Sequence, residues 1–206
     1  MDKKSPATQR ICNAAAEHFS LRGYDGASLN EIAEMVGIRK ATLYSHFKSK
    51  DRLFIQVLDD AIEAECEFAC RMLQTEDTAP GNAYLAAINE RFEQSVYLRY
   101  LLRSIYWPPD KLHSVIDKVY RKFLENVADA FHAQLLRFVP DGLTESDRML
   151  LAQAYIGIVE SLYVEIIYSS SGEIDKRRKA LWAIFSDSLA LRLRCFEIPE
   201  GKEPVS

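Results

Sequence analysis

Residues 28–50 constrain the fold of this chain more strongly than any other segment. Ser28 precedes a short run of apolar residues at helical spacing and is followed three positions later by Glu31, which is the pattern of a capping box. Gly37 then permits a sharp turn, and a second short helix is predicted over about residues 39–47. Two short helices joined by a glycine turn form a helix-turn-helix, so the segment predicts a compact helical unit.

The second of these helices has an outward face that a core helix would not carry. At about 100° per residue, Leu43 and Phe47 point inward, while Ala41 and Ser45 point directly away from the core. Small outward residues would let the helix enter a major groove, and the polar groups beside them can contact phosphates and base edges. The candidate DNA contacts on this helix and its flanks are Arg39, Lys40, Ala41, Thr42, Tyr44, Ser45, His46, Lys48 and Lys50. The alternative is a three-helix packing unit with a chance basic face.

The distribution of charge favours a polyanionic partner at this end of the chain. Residues 1–52 contain nine Lys and Arg against six Asp and Glu, whereas the rest contains seventeen against twenty-four. A basic segment on an acidic body indicates a local site for a polyanion rather than general stickiness.

The rest of the chain predicts helices and no sheet. Ser5 is the predicted N-cap of the first helix, with Pro6 at its first position. The predicted helices cover about residues 6–21, 29–36, 39–47, 50–73, 82–107 as one or two helices, 110–138, 144–169 and 174–196. The predicted fold class is therefore all-α with about nine helices. It comprises a helix-turn-helix domain at residues 1–50, a larger helical domain at 51–198 and a disordered tail at 199–206.

The recognition segment resembles that of tetracycline-repressor (TetR) family regulators. The resemblance rests on the run Gly37-Ile38-Arg39-Lys40-Ala41-Thr42-Leu43-Tyr44-Ser45-His46-Phe47-Lys48-Ser49-Lys50, with Phe19, Gly23-Tyr24 and Ser28 before it, and covers about the first fifty-five residues. It implies phosphate contacts from Ser28, Thr42, Tyr44, His46 and Lys50, and base-edge positions at Asn30, Lys40 and Ala41. At the position of Arg39 the family commonly has a small N-cap residue. Either the helix starts differently here, or Arg39 is turned to DNA, which is the favoured interpretation.

The same resemblance implies that the later helices bind a small-molecule effector. The candidate ligand contacts are Phe92, Tyr97, Tyr100, Arg103, Tyr106, Trp107, Tyr120, Phe123, Tyr155, Glu160 and Tyr163. For each aromatic residue the alternative is plain core packing. Glu160 lies in an apolar run, where a buried carboxylate needs a partner. That partner is either a cationic effector or an ion pair within the fold, for which Arg103 is a candidate; an exposed position is the third possibility.

A homodimer is expected because the last two helices have wide apolar faces. These faces are Ile156, Val159, Val164 and Ile167 on one helix, and Leu181, Ile184, Phe185, Leu189 and Leu193 on the other. Pairing them across a two-fold axis resembles the family's dimer and would bury both faces.

The remaining sequence features argue against other classes of protein. Cys12, Cys66, Cys70 and Cys195 are interpreted as small core residues, with a metal or redox pair as the alternative for Cys66 and Cys70. The histidines show no metal spacing and no catalytic motif is present, so we expect no enzyme activity, cofactor or metal. The apolar residues 152–168 are too short and too interrupted by glutamate to span a bilayer, and no signal peptide is visible. A cytoplasmic location without membrane attachment is therefore expected.

The predicted function is a transcriptional regulator that binds double-stranded DNA. In this interpretation it is a repressor that a small hydrophobic effector releases from a palindromic operator. An effector-independent architectural DNA-binding protein of the same fold is the main alternative, and an enzyme or a helical adaptor are the others.

Overall fold

The computed structural model describes residues 4–75, 79–139, 142–168 and 171–196. Within these ranges the chain forms nine α-helices and a short 3-10 turn, Asp110–Leu112, which precedes the seventh helix. The helices are α1 (Pro6–Gly26), α2 (Leu29–Val36), α3 (Lys40–His46), α4 (Lys50–Gln74), α5 (Asn82–Gln94), α6 (Val96–Tyr106), α7 (His113–Phe138), α8 (Glu145–Tyr168) and α9 (Ser171–Phe196). The predicted all-α class is confirmed. The predicted tail at 199–206 and the side chain of Cys195 lie outside the described residues.

The described chain divides into two compact units. The first comprises the chain up to Phe68 together with Glu90–Glu125, and the second comprises Ala69–Asn89 and the chain from Asn126 onward. Helices α1, α2, α3 and α6 therefore belong to the first unit, and α8 and α9 belong to the second. The predicted boundary at residue 50 marks the end of the helix-turn-helix and does not coincide with an edge of either unit. The assignment of domains at 1–50 and 51–198 stays a prediction.

Helix α1 is longer than predicted and is bent. The Ser5 hydroxyl accepts a hydrogen bond from the Thr8 amide at 3.2 Å, so the predicted N-cap is present. Gly23 has φ 70°, and instead of ending the helix it kinks it, after which a further turn runs to Gly26. A positive φ is accessible to glycine without a steric penalty. The kink directs the chain into the connection with α2.

An aromatic cluster forms the core of the first unit. The ring of Phe54 packs edge-on against Phe19 at 5.0 Å and against Tyr100 at 5.2 Å between centroids. The Tyr100 hydroxyl donates to the Phe54 carbonyl at 2.8 Å, so the buried phenol is satisfied. This cluster holds α6 against α1 and α4.

Buried tyrosines organise the second unit. Tyr155 stacks on Phe131 with 4.0 Å between centroids, and its hydroxyl donates to the Gly81 carbonyl at 2.7 Å. The Tyr84 and Tyr163 hydroxyls are hydrogen-bonded to each other at 2.8 Å. A Cβ atom on Gly81 would lie only 2.5 Å from the Tyr155 ring, so the close approach requires glycine there.

Helix α8 is apolar on nearly all sides. By length and composition alone it could span a membrane, which differs from the expectation for residues 152–168. Half of its most apolar stretch is buried inside the chain, and a core helix of a soluble protein has the same composition.

Candidate nucleic-acid interface

The helix-turn-helix is held together by its apolar side and by its glycine turn. Leu43 is fully buried and Phe47 nearly so, and both pack into the core of the first unit. Gly37 adopts the left-handed conformation, with φ 74° and ψ 34°. Its amide donates to the carbonyls of Ala33 and Glu34, which closes the end of α2. The turn therefore fixes α3 relative to α2.

The other side of α3 is open to solvent, as the helical period predicted. All the remaining residues of the helix are exposed: Lys40, Ala41, Thr42, Tyr44, Ser45 and His46. The Lys40 ammonium lies 5.9 Å from the centroid of the Tyr44 ring, one turn further along the helix. The Ser45 hydroxyl donates to the Thr42 carbonyl at 2.6 Å. A short helix with one buried and one wholly exposed polar side can be presented to a partner without unfolding.

Arg39 occupies the N-cap position of α3 without acting as a cap. Its backbone is extended, its side chain makes no capping hydrogen bond, and its carbonyl accepts from the Thr42 amide at 2.9 Å. The helix therefore begins at Lys40, one residue later than predicted. The exposed guanidinium of Arg39 and the exposed ammonium of Lys48 flank the two ends of α3.

Ser28 caps α2, but it does not form the predicted capping box. Its hydroxyl accepts from the Asn30 amide at 3.2 Å rather than from the Glu31 amide. The Glu31 carboxylate instead lies 2.9 Å from Nε2 of the buried His18. The same nitrogen is 3.3 Å from the Ser28 amide, from which it accepts only when the ring proton is on Nδ1. The capping-box prediction is wrong because a histidine from α1 takes the place expected for Glu31.

Lys50 makes hydrogen bonds within the chain, to the connection between α1 and α2. Its Nζ donates to the carbonyls of Tyr24 at 2.7 Å and Ala27 at 3.1 Å, and lies 4.3 Å from the centroid of the Tyr24 ring. An ammonium has three N–H donors, so two of them serve the connection between α1 and α2. A phosphate contact by Lys50, which stays a prediction, would use the third.

Helix α1 supports both helices of the motif. The Arg10 guanidinium donates to the Val36 carbonyl at 2.9 Å, at the end of α2. The Thr8 hydroxyl lies 3.2 Å from Nδ1 of His46, at the end of α3. Asn30 is exposed in the first turn of α2, beside the cap. Side chains of α1 therefore contact the C-terminal ends of both α2 and α3.

The candidate effector residues do not share one environment. Tyr100, Phe123, Tyr155 and Tyr163 are fully buried and pack in the cores of their units. Those that are half-buried are Phe92, Tyr97, Arg103, Tyr106, Tyr120 and Glu160, and Trp107 is exposed. Core packing thus accounts for the four buried rings, and effector contact by any member of the set stays a prediction.

The two charged candidates, Glu160 and Arg103, lie in different parts of the fold. Glu160 is only half-buried, whereas Glu165 is buried and pairs with Arg177 of α9 at 2.6 Å. Arg103 belongs to the first unit, where its guanidinium packs beside Gly23, and Glu160 belongs to the second. Sequence reasoning overlooked Glu165, and also Glu65, a carboxylate in α4 that accepts three hydrogen bonds.

Two depressions lie on the first unit. A wide groove of about 560 Å³ is lined by Asn13, Ala14, Glu17, Met35, Val96, Tyr97 and Arg99. A smaller pocket of about 70 Å³ is lined by Ile105, Pro108, His113, Ile116, Asp117 and Tyr120. Of the effector candidates, Tyr97 borders the first and Tyr120 the second.

Three of the cysteines, Cys12, Cys66 and Cys70, have side chains within the described residues. Cys12 is fully buried, and burial raises the pKa of its thiol to about 11. Cys66 and Cys70 are half-buried. In the part of the chain that the structure describes, no cluster of three or more His, Cys, Asp or Glu side chains could hold a metal ion.

Comparison with known proteins relates residues 11–57, which contain the helix-turn-helix, to a protein family. Residues 11–57 match the family model described as bacterial regulatory proteins, tetR family. The biofilm operon icaADBC negative transcriptional regulator IcaR of Staphylococcus aureus (strain Newman) is 47% identical over 47 residues, which cover 23% of this chain and 25% of the relative. IcaR of Staphylococcus epidermidis is 32% identical over 62 residues, covering 30% and 34%. The chain therefore matches between a quarter and a third of the length of these relatives.

Solved structures extend the similarity of fold to almost the whole chain. A TetR transcriptional regulator from Chloroflexus aurantiacus superposes with a TM-score of 0.73 at 19% identity, covering 87% of this chain and 94% of that one. GusR of Salmonella enterica gives 0.66 at 15% identity, covering 92% and 96%. This chain therefore shares the all-helical fold of these structures. Residues 11–57 therefore match the tetR family of bacterial regulatory proteins, and the predicted resemblance, which covers about the first fifty-five residues, is confirmed.

Proposed function

We propose that this protein is a dimeric repressor that occupies a palindromic operator and is released from it by a small hydrophobic effector. The observation that carries the proposal is the solvent-exposed side of α3, with Leu43 and Phe47 anchoring the opposite side. The family relationship supports DNA binding. IcaR is named a negative transcriptional regulator, and this supports repression rather than activation.

In this proposal α3 enters the major groove. The small side chains of Ala41 and Ser45 let its backbone approach the base pairs, and Lys40 and Arg39 reach guanine O6 and N7. Thr42 and Tyr44 contact phosphates on the groove walls. The N-terminus of α2, with Ser28 and Asn30, contributes backbone amides to a further phosphate contact.

A second copy of the chain is the proposed cover for the exposed apolar side of α8. Its exposed or half-buried residues recur every three or four positions as one stripe: Leu150, Ala154, Gly157, Ser161, Val164 and Tyr168. Exposed Ile184 and Leu191 add to the apolar surface of α9. Ile156, Val159, Phe185 and Leu189, expected at the interface from the sequence, are buried in the chain's own core. The proposed interface therefore uses the opposite side of α8.

We expect Gly157→Arg to weaken dimerisation by at least about tenfold, since a charged side chain would enter the centre of the α8 stripe. Within one chain a Cβ at Gly157 meets nothing within 4 Å. Arginine also favours a helix over glycine by about 0.8 kcal/mol, so the isolated chain is expected to fold at least as well. The measurement is sedimentation equilibrium over a range of protein concentrations.

Gly172→Arg is the matched control for this variant. Gly172 is also helical, exposed and free of neighbours within 4 Å of a Cβ, but it lies in the first turn of α9 and is not a member of the α8 stripe. Its dimerisation constant is expected to equal that of wild type. If both variants dimerised equally well, the α8 stripe would not be part of the dimer interface.

The operator is the first object to identify. Selection from a random pool of duplexes with the full chain is expected to recover a palindrome whose half-sites are centred about 34 Å apart, one turn of DNA. Affinity should fall steeply with salt, because phosphate contacts release counterions. A recovered sequence without two-fold symmetry would contradict the dimeric operator, and failure to bind any duplex would contradict the function as a whole. Operator binding also implies a cytoplasmic location.

The effector is proposed to bind in the helical region after α4, with Glu160 of α8 as a counter-charge. A lipophilic cation such as tetraphenylphosphonium is then expected to release the operator duplex, and Glu160→Gln to weaken that release by about tenfold, the value of one ionic contact of roughly 1.4 kcal/mol. Titration of the protein–duplex complex measures both. A neutral lipophile of similar size is the control, and its effect should not depend on Glu160. If the substitution did not affect release of the duplex, Glu160 would not be part of the effector site. If no lipophile changed operator affinity, an architectural DNA-binding protein would be favoured.

A further inference from the structure

The connection between α1 and α2 is attached to the start of α4 by side chains around Tyr24. Directly after the kink at Gly23, the Tyr24 ring is buried and packs edge-on against Phe54 at 5.3 Å. Its hydroxyl donates to the Asp51 carboxylate in the first turn of α4. Lys50 holds the backbone carbonyls of the same connection. The connection that places α2 and α3 is therefore fixed to the first turn of α4.

A cation from a remote part of the sequence completes this arrangement. Lys111 lies in the 3-10 turn between α6 and α7, and its Nζ is 2.7 Å from Oδ1 of Asp51, the oxygen that the Tyr24 hydroxyl also reaches. The ammonium lies 4.7 Å from the centroid of the Tyr24 ring. Leu112, the next residue, is buried in the core of the first unit. The junction between α6 and α7 thus determines where the ammonium lies.

The charges reinforce the geometry. Lys111 and, to a smaller extent, the Tyr24 hydroxyl hold the pKa of Asp51 below its usual value, so the carboxylate is ionised near neutral pH. The side chains of Lys111 and Asp51 are 55% and 38% exposed. An ion pair at this exposure contributes little to global stability. The effect of this ion pair is to fix the orientation of the Lys111 and Asp51 side chains.

We propose that Lys111 is a positioning residue for DNA binding, which sets the helix-turn-helix from the α6–α7 junction by holding Asp51 and Tyr24. This inference rests on the proposed DNA-binding function. A displacement of the α6–α7 junction would change the ion pair between Lys111 and Asp51. Because Tyr24 donates to the same carboxylate, the connection that leads into α2 would then move as well. Lys111 itself need not touch DNA.

We expect Lys111→Met to weaken binding of the selected operator duplex about fivefold, the lower end of couplings between linked sites. The slope of log affinity against log salt is expected to stay as in wild type, because no phosphate contact is lost. Lys111→Arg keeps a donor and a charge within reach of Asp51 and should restore most of the affinity. Lys118→Met is the control, since it removes another exposed lysine from the start of α7.

A direct phosphate contact by Lys111 would give a different result. The salt slope would then fall by about 0.9, the value of one phosphate contact on duplex DNA. In an Asp51→Asn background, a positioning role leaves Lys111→Met with little further effect, because the partner is already weakened. A direct contact would keep its full effect in that background, and this outcome would overturn the inference.

Amide hydrogen exchange tests the positioning without DNA. Lys111→Met is expected to speed exchange at residues 24–28 several-fold relative to wild type and to Lys118→Met, with unfolding midpoints unchanged. Equal exchange in all three proteins would overturn the inference even if operator affinity fell. Should the wild-type chain bind no duplex, the proposed function fails, and the exchange rates still decide whether Lys111 positions this connection.

Discussion

An Ala41→Glu variant is expected to lose operator affinity by about 100-fold or more while folding as stably as the wild type. Ala41 is exposed in the first turn of α3, on the side opposite the buried Leu43. In the proposed complex a carboxylate at this position would face DNA phosphates, and such like-charge contacts cost several kcal/mol of binding free energy. A loss of about 2.7 kcal/mol already corresponds to a 100-fold weaker affinity. Glutamate near a helix N-terminus favours the helix, since it complements the helix dipole. Helix stability and DNA affinity should therefore change in opposite directions.

Ala86→Glu is the matched control, because Ala86 is an exposed alanine within α5, far along the chain from the motif. It adds the same charge outside the helix-turn-helix and should leave operator affinity within about twofold, because the proposed complex uses no contact from α5. Fluorescence anisotropy with a labelled duplex measures both affinities, and thermal unfolding followed by circular dichroism measures stability. Wild-type affinity in Ala41→Glu would show that α3 does not face DNA.

Glu65→Gln is expected to destabilise the chain by about 3 kcal/mol, because it breaks a buried ion pair. Glu65 is 2% exposed and accepts from Arg91 at 2.8 and 3.0 Å and from the Ser95 hydroxyl at 2.7 Å. Glutamine keeps the shape but loses the charge, and one of its terminal groups would present donors to the donors of Arg91. These contacts join α4, which follows the helix-turn-helix, to the α5–α6 junction.

Glu63→Gln gives the comparison for that measurement. Glu63 is exposed on the same helix, and its replacement should change stability by less than about 0.5 kcal/mol, as is usual for surface positions. Urea unfolding monitored by circular dichroism gives both free energies. Equal stability of the two variants would mean that the Glu65 pair contributes nothing beyond an exposed ion pair.

The helix-turn-helix could be predicted because its information is local. Leu43 and Phe47 are buried and their neighbours are exposed, as the helical period alone requires. The cap of α2 was misjudged for the opposite reason. His18 comes from α1, and only tertiary packing brings its ring to the Ser28 amide and the Glu31 carboxylate. Residue types around Ser28 carry no signal of that contact.

Helix α8 shows where periodicity stops being informative. Because it is apolar on nearly all sides, the pattern does not define which side faces the core. Glu160 and Glu165 are five residues apart and point about 140° away from each other, and only Glu165 proves to be buried. The same ambiguity assigned Ile156 and Val159 to the dimer interface, although they lie in the core. Contacts such as Lys111 with Asp51 join residues far apart in sequence and could not have been predicted from a single sequence.

The proposed function depends most directly on the exposed side of α3 being the surface that binds DNA. Amide hydrogen exchange of the full chain, with and without the selected operator duplex at low salt, tests this surface without any substitution. We expect slower exchange at residues 39–47 and at the N-terminus of α2 when the duplex is bound, with no change along α8. Protection confined to other helices, or the absence of binding to any duplex, would contradict it.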